Sequence, residues 1–181
     1  MKKYWSTLLL LCCLLSNLWA SDKKEKIEWK TFSEVEELMK KTPRKILIDV
    51  YTNWCTWCKR MDKTIYYNPQ AIAYINEHYY AIKFNAETKE PISFQGETYY
   101  FNKRYKTNEL ALKLCNYQPS YPTTILLNEK FEDKTPFAGY LELYQMESVL
   151  KYYATNNYKK QSWNDWNRSF VFEWQNNAKK K

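Results

Sequence analysis

The run from Lys45 to Thr52, KILIDVYT, constrains the fold of this chain more than any other segment. It is short, rich in Ile and Val, and nearly continuous in apolar residues, which is typical of a strand buried on both faces. A strand of this kind needs other elements packed above and below it, and helices usually fill that role. The run therefore predicts an α/β fold with a central sheet.

Helical patterns flank this strand on both sides in the sequence. Ser33 and Glu36 fit a capping box at the start of one helix, which Pro43 ends. Asn68-Pro69 fits the cap and first residue of another helix. A third amphipathic helix is predicted from Leu143 onward, since its apolar residues recur at helical spacing.

Three further segments indicate strands, at positions 80–85, 123–127 and 135–140. An insertion at about 87–118 separates the first two and is predicted to contain a hairpin, turning at Gln95-Gly96, and a short helix. The resulting order of helices and strands predicts a three-layer α/β/α sandwich around a mixed sheet.

The N-terminus has the pattern of a secretory signal peptide. Two lysines precede an apolar run at 8–15, and Ala20 suits the last residue before cleavage. Lipidation of Cys12 or Cys13 and an uncleaved membrane anchor are the alternatives. We predict a signal peptide at 1–20, a single domain at 21–181, and a protein exported across the inner membrane, in an oxidising compartment that is most simply the periplasm.

Composition excludes several classes of function. Two glycines are too few for glycine-rich phosphate loops or dinucleotide fingerprints, and a single histidine, His78, argues against histidine-based metal sites and triads. The formal charge of +8 is scattered, which indicates a solvated surface and not a nucleic-acid site. We therefore predict that the protein uses no cofactor and no metal, and that it contacts a membrane only through an uncleaved signal segment.

Cys55 and Cys58 follow the KILIDVYT strand directly, at the predicted first turn of a helix. Unpaired N–H groups and the positive end of the helix dipole favour a thiolate there, so Cys55 is the candidate attacking sulfur and Cys58 the resolving one. A zinc site and a purely structural disulfide are the alternatives, because the spacing alone is not specific.

The stretch from Ile46 to Asp62 resembles the active-site region of thioredoxins, with an apolar strand, an acid and then W-C-x-x-C-K. It is more similar still to exported bacterial thioredoxin-like proteins that carry W-C-x-W-C-K-x-M. The resemblance covers roughly residues 26–154 and implies the thioredoxin-like fold. It also implies that Asp49 accepts a proton from Cys58 during resolution.

The resemblance further implies a cis-proline at Pro122, facing the cysteine pair, with Tyr121 at the variable position before it. Together with Trp54, Thr56 and Trp57, these residues are the predicted substrate-binding set. We expect Trp54 to support the site by packing and Trp57 to be exposed. The insertion and the aromatic-rich extension at 156–181 have no counterpart in the resemblance.

Two features outside the motif have a structural interpretation and a functional one. Cys115 shares helical spacing with Leu114 and neighbouring apolar residues, which predicts a buried inert thiol; a third redox thiol is the alternative. The tail places four large rings at amphipathic spacing, which predicts a helix docked on the domain; docking to a partner or a membrane surface is the alternative. The four residues are Trp163, Trp166, Phe170 and Trp174.

These observations predict an exported thiol–disulfide oxidoreductase. Its substrates are exported proteins, bound through a mixed disulfide, and a separate redox partner protein exchanges electrons with it. The Cys55–Cys58 pair cycles between dithiol and disulfide, and the resemblance slightly favours the reductase or isomerase direction. The alternative is a non-catalytic module that binds a peptide or partner and holds the two cysteines as a structural disulfide.

Overall fold

The computed structural model of the protein describes residues 26–174. The predicted signal peptide and the last residues of the tail lie outside this range. The nine strands of the described region are β1 (Trp29–Lys30), β2 (Lys45–Tyr51), β3 (Tyr79–Asn85), β4 (Ile92–Phe94), β5 (Glu97–Tyr99), β6 (Phe101–Asn102), β7 (Thr107–Asn108), β8 (Thr123–Leu127) and β9 (Thr135–Ala138). The α-helices are α1 (Phe32–Lys41), α2 (Thr56–Met61), α3 (Pro69–His78), α4 (Glu109–Leu114), α5 (Leu143–Ala154) and α6 (Trp163–Ser169). A π-helical turn (Asp62–Tyr66) follows α2 directly, and a short 3₁₀ helix (Asn157–Lys159) follows α5.

Five strands form the central sheet, in the order β1-β3-β2-β8-β9. β3 runs parallel to both β1 and β2, whereas β8 is antiparallel to β2 and to β9. The predicted strand of KILIDVYT is therefore confirmed as a buried strand at the centre of a mixed sheet.

Helices cover both faces of this sheet, which confirms the predicted three-layer architecture. Ile46, Ile48 and Val50 of β2 pack in one apolar cluster with side chains of α1 and α4. Leu47 points the other way, into a second cluster built with α3 and α5. The alternation follows from the strand period of two residues.

The first helix begins two residues earlier than the sequence predicts. Its capping box is formed by Thr31 and Glu34, not by Ser33 and Glu36. Both pairs satisfy the Ser/Thr-x-x-Glu pattern. The earlier start places Phe32 inside the helix, where its ring packs in the core 5.1 Å from that of Phe84.

The inserted segment contains more structure than predicted. The β4–β5 hairpin and α4 are present, and Gln95 and Gly96 form the turn with positive φ angles of 54° and 75°. The hairpin turn suits glycine because its backbone is left-handed. A second, two-residue pairing of β6 with β7 was not predicted.

The tail docks on α5, but not as one helix. α6 ends at Ser169, and the chain then continues in a non-helical conformation to Trp174, which is buried. The prediction of a single helix through Trp174 is wrong, because backbone N–H groups of Glu173 and Trp174 donate to the Glu147 carboxylate of α5 instead of to helix carbonyls. No helix within residues 26–174 is long and apolar enough to cross a membrane.

Candidate active site

The two cysteines of the motif lie where the sheet edge meets a helix N-terminus. Cys55 caps α2, and its Sγ accepts a hydrogen bond of 3.0 Å from the backbone N–H of Cys58. The two sulfurs are joined in a disulfide, with 5.3 Å between the Cα atoms. Both cysteines are buried. The exposed surface around them is formed by their neighbours, including Thr56 at the first position of α2.

Trp54, which we expected to support the site by packing, lies on the surface with 65% of the residue exposed. Its indole N–H donates to Glu87 Oε1 at 3.0 Å, and its ring meets the edge of Tyr121 at 6.1 Å between centroids. These contacts fix the orientation of the indole from one side and leave most of the ring in solvent. Glu87 belongs to the inserted segment, which therefore supplies part of the site wall.

Trp57 is 53% exposed, as expected. Its ring lies 5.5 Å from that of Tyr140, and the Arg60 guanidinium is 5.2 Å from the Trp57 ring and 5.3 Å from the Tyr140 ring. Cation–π attraction at an exposed site contributes about 0.5–1 kcal/mol. A second aromatic pair, with a positive charge beside it, thus stands next to the cysteine motif.

Pro122 follows a cis peptide bond from Tyr121, as the resemblance implied. Thr123 pairs with Val50 across β8 and β2, so Pro122 lies at the edge of the sheet where β2 ends and the cysteine motif begins. The Pro122 carbonyl accepts a 2.8 Å hydrogen bond from the Gly139 N–H. The structure thus brings Pro122 to the same sheet edge as Cys55.

Tyr121 is half-buried, and its hydroxyl shares a 3.2 Å hydrogen bond with Thr107 Oγ1. Thr107 also donates to the Ala86 carbonyl at 2.8 Å, which anchors it. Burial raises the pKa of Tyr121. The inserted segment thus contacts both members of the Trp54–Tyr121 pair, a role that no local sequence pattern predicts.

Asp49 is buried in β2, the strand that leads into the cysteine motif. Its Oδ2 accepts from the Lys83 ammonium at 2.7 Å, and among residues 26–174 its Oδ1 has no hydrogen-bond partner. Burial raises the pKa of Asp49, and the Lys83 charge offsets only part of that rise. A carboxylate in this state binds a proton more readily than a solvated one.

Lys83 was not among the predicted site residues. It lies on β3 directly opposite Asp49 in the parallel register, and its ammonium also contacts the Asp62 carboxylate. Burial lowers the pKa of Lys83, but the two carboxylates outweigh that effect and leave the pKa raised. The polar alternation of β3 was a usable signal, but the partner strand and register were needed to place Lys83 beside Asp49.

Cys115 is buried at the end of α4, and burial raises the pKa of its thiol. Both observations agree with the predicted inert thiol, since the thiol form is the less reactive one. In the described part of the chain, no group of three or more His, Cys, Asp or Glu residues is arranged to hold a metal ion.

Comparisons with solved structures give the fold. A thioredoxin-fold protein from Helicobacter pylori matches with a TM-score of 0.55 and 20% identity, over 70% of this chain and 79% of that one. A structure titled DsbH oxidoreductase matches with a TM-score of 0.51 and 13% identity, over 72% and 85% of the two chains. At these identities the likeness establishes a thioredoxin fold and nothing about activity.

A comparison with curated protein sequences gives no match. The family model that matches is Thioredox_DsbH, described as a protein of unknown function, DUF255, and it spans residues 13–170. That span contains the cysteine pair, Asp49, the inserted segment, Pro122 and α5. Since the match covers most of the sequence and the fold agrees with it, the chain belongs to the Thioredox_DsbH family of thioredoxin-like proteins.

Proposed function

We propose that this protein is an exported thiol–disulfide oxidoreductase that exchanges electrons with cysteines of polypeptide substrates through Cys55 and Cys58. The observation that carries the proposal is the placement of a Cys-x-x-Cys pair at a helix N-terminus, directly after the strand that holds the buried, half-satisfied carboxylate of Asp49. At the family level, a Cys-x-x-Cys pair in a thioredoxin fold supports this chemistry.

In the reducing direction, the Cys55 thiolate attacks a substrate disulfide. One substrate sulfur leaves as a thiolate, and a mixed disulfide forms between Cys55 and the other. Asp49 then takes the proton of the Cys58 thiol, and the Cys58 thiolate attacks Cys55 Sγ. The Cys55–Cys58 disulfide forms, the second substrate thiolate is released, and both electrons of the pair have passed to the substrate.

The aromatic side chains beside the motif, of which Trp54 and Trp57 are exposed, support a polypeptide substrate. Trp54 and Tyr121 form one aromatic pair, and Trp57 and Tyr140 form the other. Exposed tryptophan and tyrosine rings bury large apolar area at low entropic cost when a partner docks, and such residues dominate protein contacts. We infer that an extended substrate segment lies along the Pro122 edge of the sheet with side chains against these rings.

The finer assignments rest on the sequence. The reductase or isomerase direction is favoured because the motif resembles that of reducing members of the class. Export to the periplasm follows from the N-terminal signal pattern. A separate redox partner is required in the reducing direction, because each reducing turnover leaves Cys55 and Cys58 oxidised.

A second candidate is a peptide-binding module in which the disulfide never opens. The burial of both cysteines favours it, because a buried disulfide is poorly accessible to a substrate thiolate. The exposed aromatic pairs serve docking equally well in this case. The two candidates differ in whether Cys55 forms a covalent bond with its partner.

Trapping of mixed disulfides separates them. Cys58→Ala removes the resolving sulfur, and Cys115→Ala in the same protein removes the other thiol of the described region. We expect this variant to accumulate covalent complexes with a peptide disulfide substrate, reversible by dithiothreitol. The matched control adds Cys55→Ala, which removes the attacking sulfur. Complexes that form equally in the control, or in neither protein, contradict the proposal.

A further inference from the structure

One ammonium group serves two carboxylates, one on β2 and one on the π-helical turn that follows α2. Lys83 Nζ lies 2.7 Å from Asp49 Oδ2 and also contacts Asp62 Oδ1. Three aromatic rings surround the ammonium at 5.0–5.1 Å and restrict its position; they belong to Trp29, Tyr51 and Tyr66. Lys83 therefore stays between the two carboxylates.

The solvent exposure of the three side chains increases from Asp49 through Lys83 to Asp62. Asp49 has 2% of its side chain exposed, Lys83 has 21% and Asp62 has 35%. The outer end opens into a cleft of about 490 Å³ that Asp62 and Lys83 line together. Asp62 is therefore open to solvent through the cleft, whereas Asp49 is enclosed by the protein and paired with Lys83.

The titratable groups in and directly around the Asp49–Lys83–Asp62 cluster come from β2, from β3 and from the turn after α2. β2 contributes Asp49 and Tyr51, β3 contributes Lys83, and the turn after α2 contributes Asp62 and Tyr66. Three more ammonium groups line the outer cleft, those of Lys26, Lys59 and Lys63. Burial raises the pKa of Tyr66 well above its ordinary value, and the Asp49 charge adds to that rise, so Tyr66 stays neutral.

Asp62 acts on Asp49 in two ways, and both favour the protonated form of the Asp49 carboxyl. Asp62 accepts a hydrogen bond from Lys83, and this second contact weakens the electrostatic stabilisation that the ammonium gives to the Asp49 carboxylate. Its own negative charge also repels that of Asp49, which raises the pKa of Asp49 further. Without Asp62, the Lys83 ammonium serves Asp49 alone, and an ion pair at that distance favours the charged carboxylate.

We propose that Asp62 is a positioning residue that divides the Lys83 ammonium between two carboxylates and so keeps Asp49 able to take the proton of Cys58. This inference rests on the proposed function. In the step concerned, the S–H bond of Cys58 breaks and an O–H bond forms on Asp49, while the Cys58 sulfur keeps the electron pair and attacks Cys55. Neither Lys83 nor Asp62 changes its covalent bonds.

Asp62→Asn tests the charge sharing directly. Selective ¹³C labelling of aspartate carboxyls lets NMR follow the titration of Asp49 in the oxidised protein, without any exchange reaction. We expect the Asp49 pKa to fall by about one unit, which is a tenfold change in its ionisation constant. An Asp49 pKa that stays constant or rises in Asp62→Asn overturns the proposal.

Two companion variants control for a structural effect. Asp62→Glu restores the charge and is expected to return the Asp49 titration close to that of the parent protein. Asp165→Asn removes an exposed carboxylate from α6 and is expected to leave that titration unchanged. An equal shift in Asp165→Asn, or no rescue by Asp62→Glu, contradicts a specific role of Asp62.

The exchange reaction supplies the second readout. With a peptide disulfide, the acid limb of the pH–rate profile is expected to move about one unit lower in Asp62→Asn, together with the NMR titration. If the parent protein shows no exchange while the NMR shift occurs, the proposed function is wrong and the charge sharing stands. An NMR shift without any displacement of an active profile overturns the positioning role.

Discussion

Asp49 and Glu147 are both carboxylates buried in the fold, and each forms an ion pair with a lysine. Glu147 is fully satisfied: Lys151 Nζ lies 2.7 Å from Oε1, and the backbone N–H groups of Glu173 and Trp174 donate to its oxygens at 2.9–3.2 Å. Asp49 receives a partner on one oxygen only among the described residues.

The difference separates a structural group from one suited to proton transfer. The Glu147 carboxylate fixes the tail against α5, and its partners compensate for its burial. The Asp49 carboxylate is only partly compensated, so its ionised form is costly and its pKa is raised. A buried acid left in this state suits a base that must take and return a proton near neutral pH.

The largest effect on stability is expected from Glu147→Ala. The change leaves two backbone N–H groups without their carboxylate, and Lys151 loses its buried partner. Breaking a buried ion pair from one side typically costs about 3–5 kcal/mol in the free energy of unfolding. Urea unfolding measures this loss. Exchange activity per folded molecule should stay constant, and Glu37→Ala on the exposed face of α1 is the matched control. A variant as stable as the control contradicts the structural role.

Asp49→Asn should lower the exchange rate and raise the stability, in contrast to Glu147→Ala, which should lower only the stability. Loss of a general base typically costs about a hundredfold or more in rate, so peptide disulfide exchange at pH 7 should fall by about that factor. Stability should rise at neutral pH. The native state binds the Asp49 proton more tightly than the unfolded chain, so the stabilisation is present below the ordinary aspartate range and is lost as pH rises through the raised pKa.

Urea unfolding of the parent protein and Asp49→Asn across the pH range checks that sign. The stability advantage of the variant should grow from acid toward neutral pH. If the stability advantage shrinks with rising pH, or if the variant exchanges as fast as the parent protein, Asp49 is a structural group like Glu147. Either result contradicts the distinction drawn between the two carboxylates.

An aromatic residue beside the cysteine motif and one in the docked tail should differ in the same way, the first affecting exchange and the second affecting stability. Trp57→Ala is expected to lower kcat/KM about tenfold for a peptide disulfide, equivalent to about 1.4 kcal/mol, and to leave a small-molecule disulfide and the free energy of unfolding unchanged. Trp166 is the matched residue, because its indole N–H donates to Ser148 at 3.1 Å and its ring packs near Tyr152. Trp166→Ala should lower stability and leave exchange unchanged. The reverse assignment of the two effects contradicts a docking role for Trp57.

The smallest effect is expected from Cys115→Ala. The thiol is buried and its pKa is raised, so we expect it to take no part in exchange. Thiol–disulfide exchange kinetics measured with the peptide substrate should match those of the parent protein. A loss of rate beyond twofold makes Cys115 a third redox thiol and adds it to the site.

Local patterns in the sequence were sufficient for much of the fold. The apolar run of β2, the Asn68-Pro69 cap and the Gln95-Gly96 turn each depend on neighbours in the chain, and each is present. The capping box was ambiguous because two overlapping pairs satisfied the same pattern. Packing of Phe32 against Phe84 decided between them, and that contact joins distant parts of the sequence.

The site could be predicted only in part for the same reason. The positions of Cys55 and Cys58 and the cis bond before Pro122 came from the motif and its resemblance. The partnership of Lys83 with Asp49 depends on the parallel register of β2 and β3. The contact of Trp54 with Glu87 likewise depends on where the inserted segment folds back. Neither contact has a signature within one stretch of sequence.

The measurement closest to the central claim is a redox titration of the Cys55–Cys58 pair. The protein with Cys115→Ala is equilibrated in dithiothreitol and glutathione buffers of known potential, and the thiols are alkylated and counted by mass spectrometry. A midpoint potential above about −300 mV is the predicted result, because an exchanging pair must be both reduced and reoxidised by other proteins. A midpoint below about −300 mV is characteristic of a structural disulfide and contradicts the account.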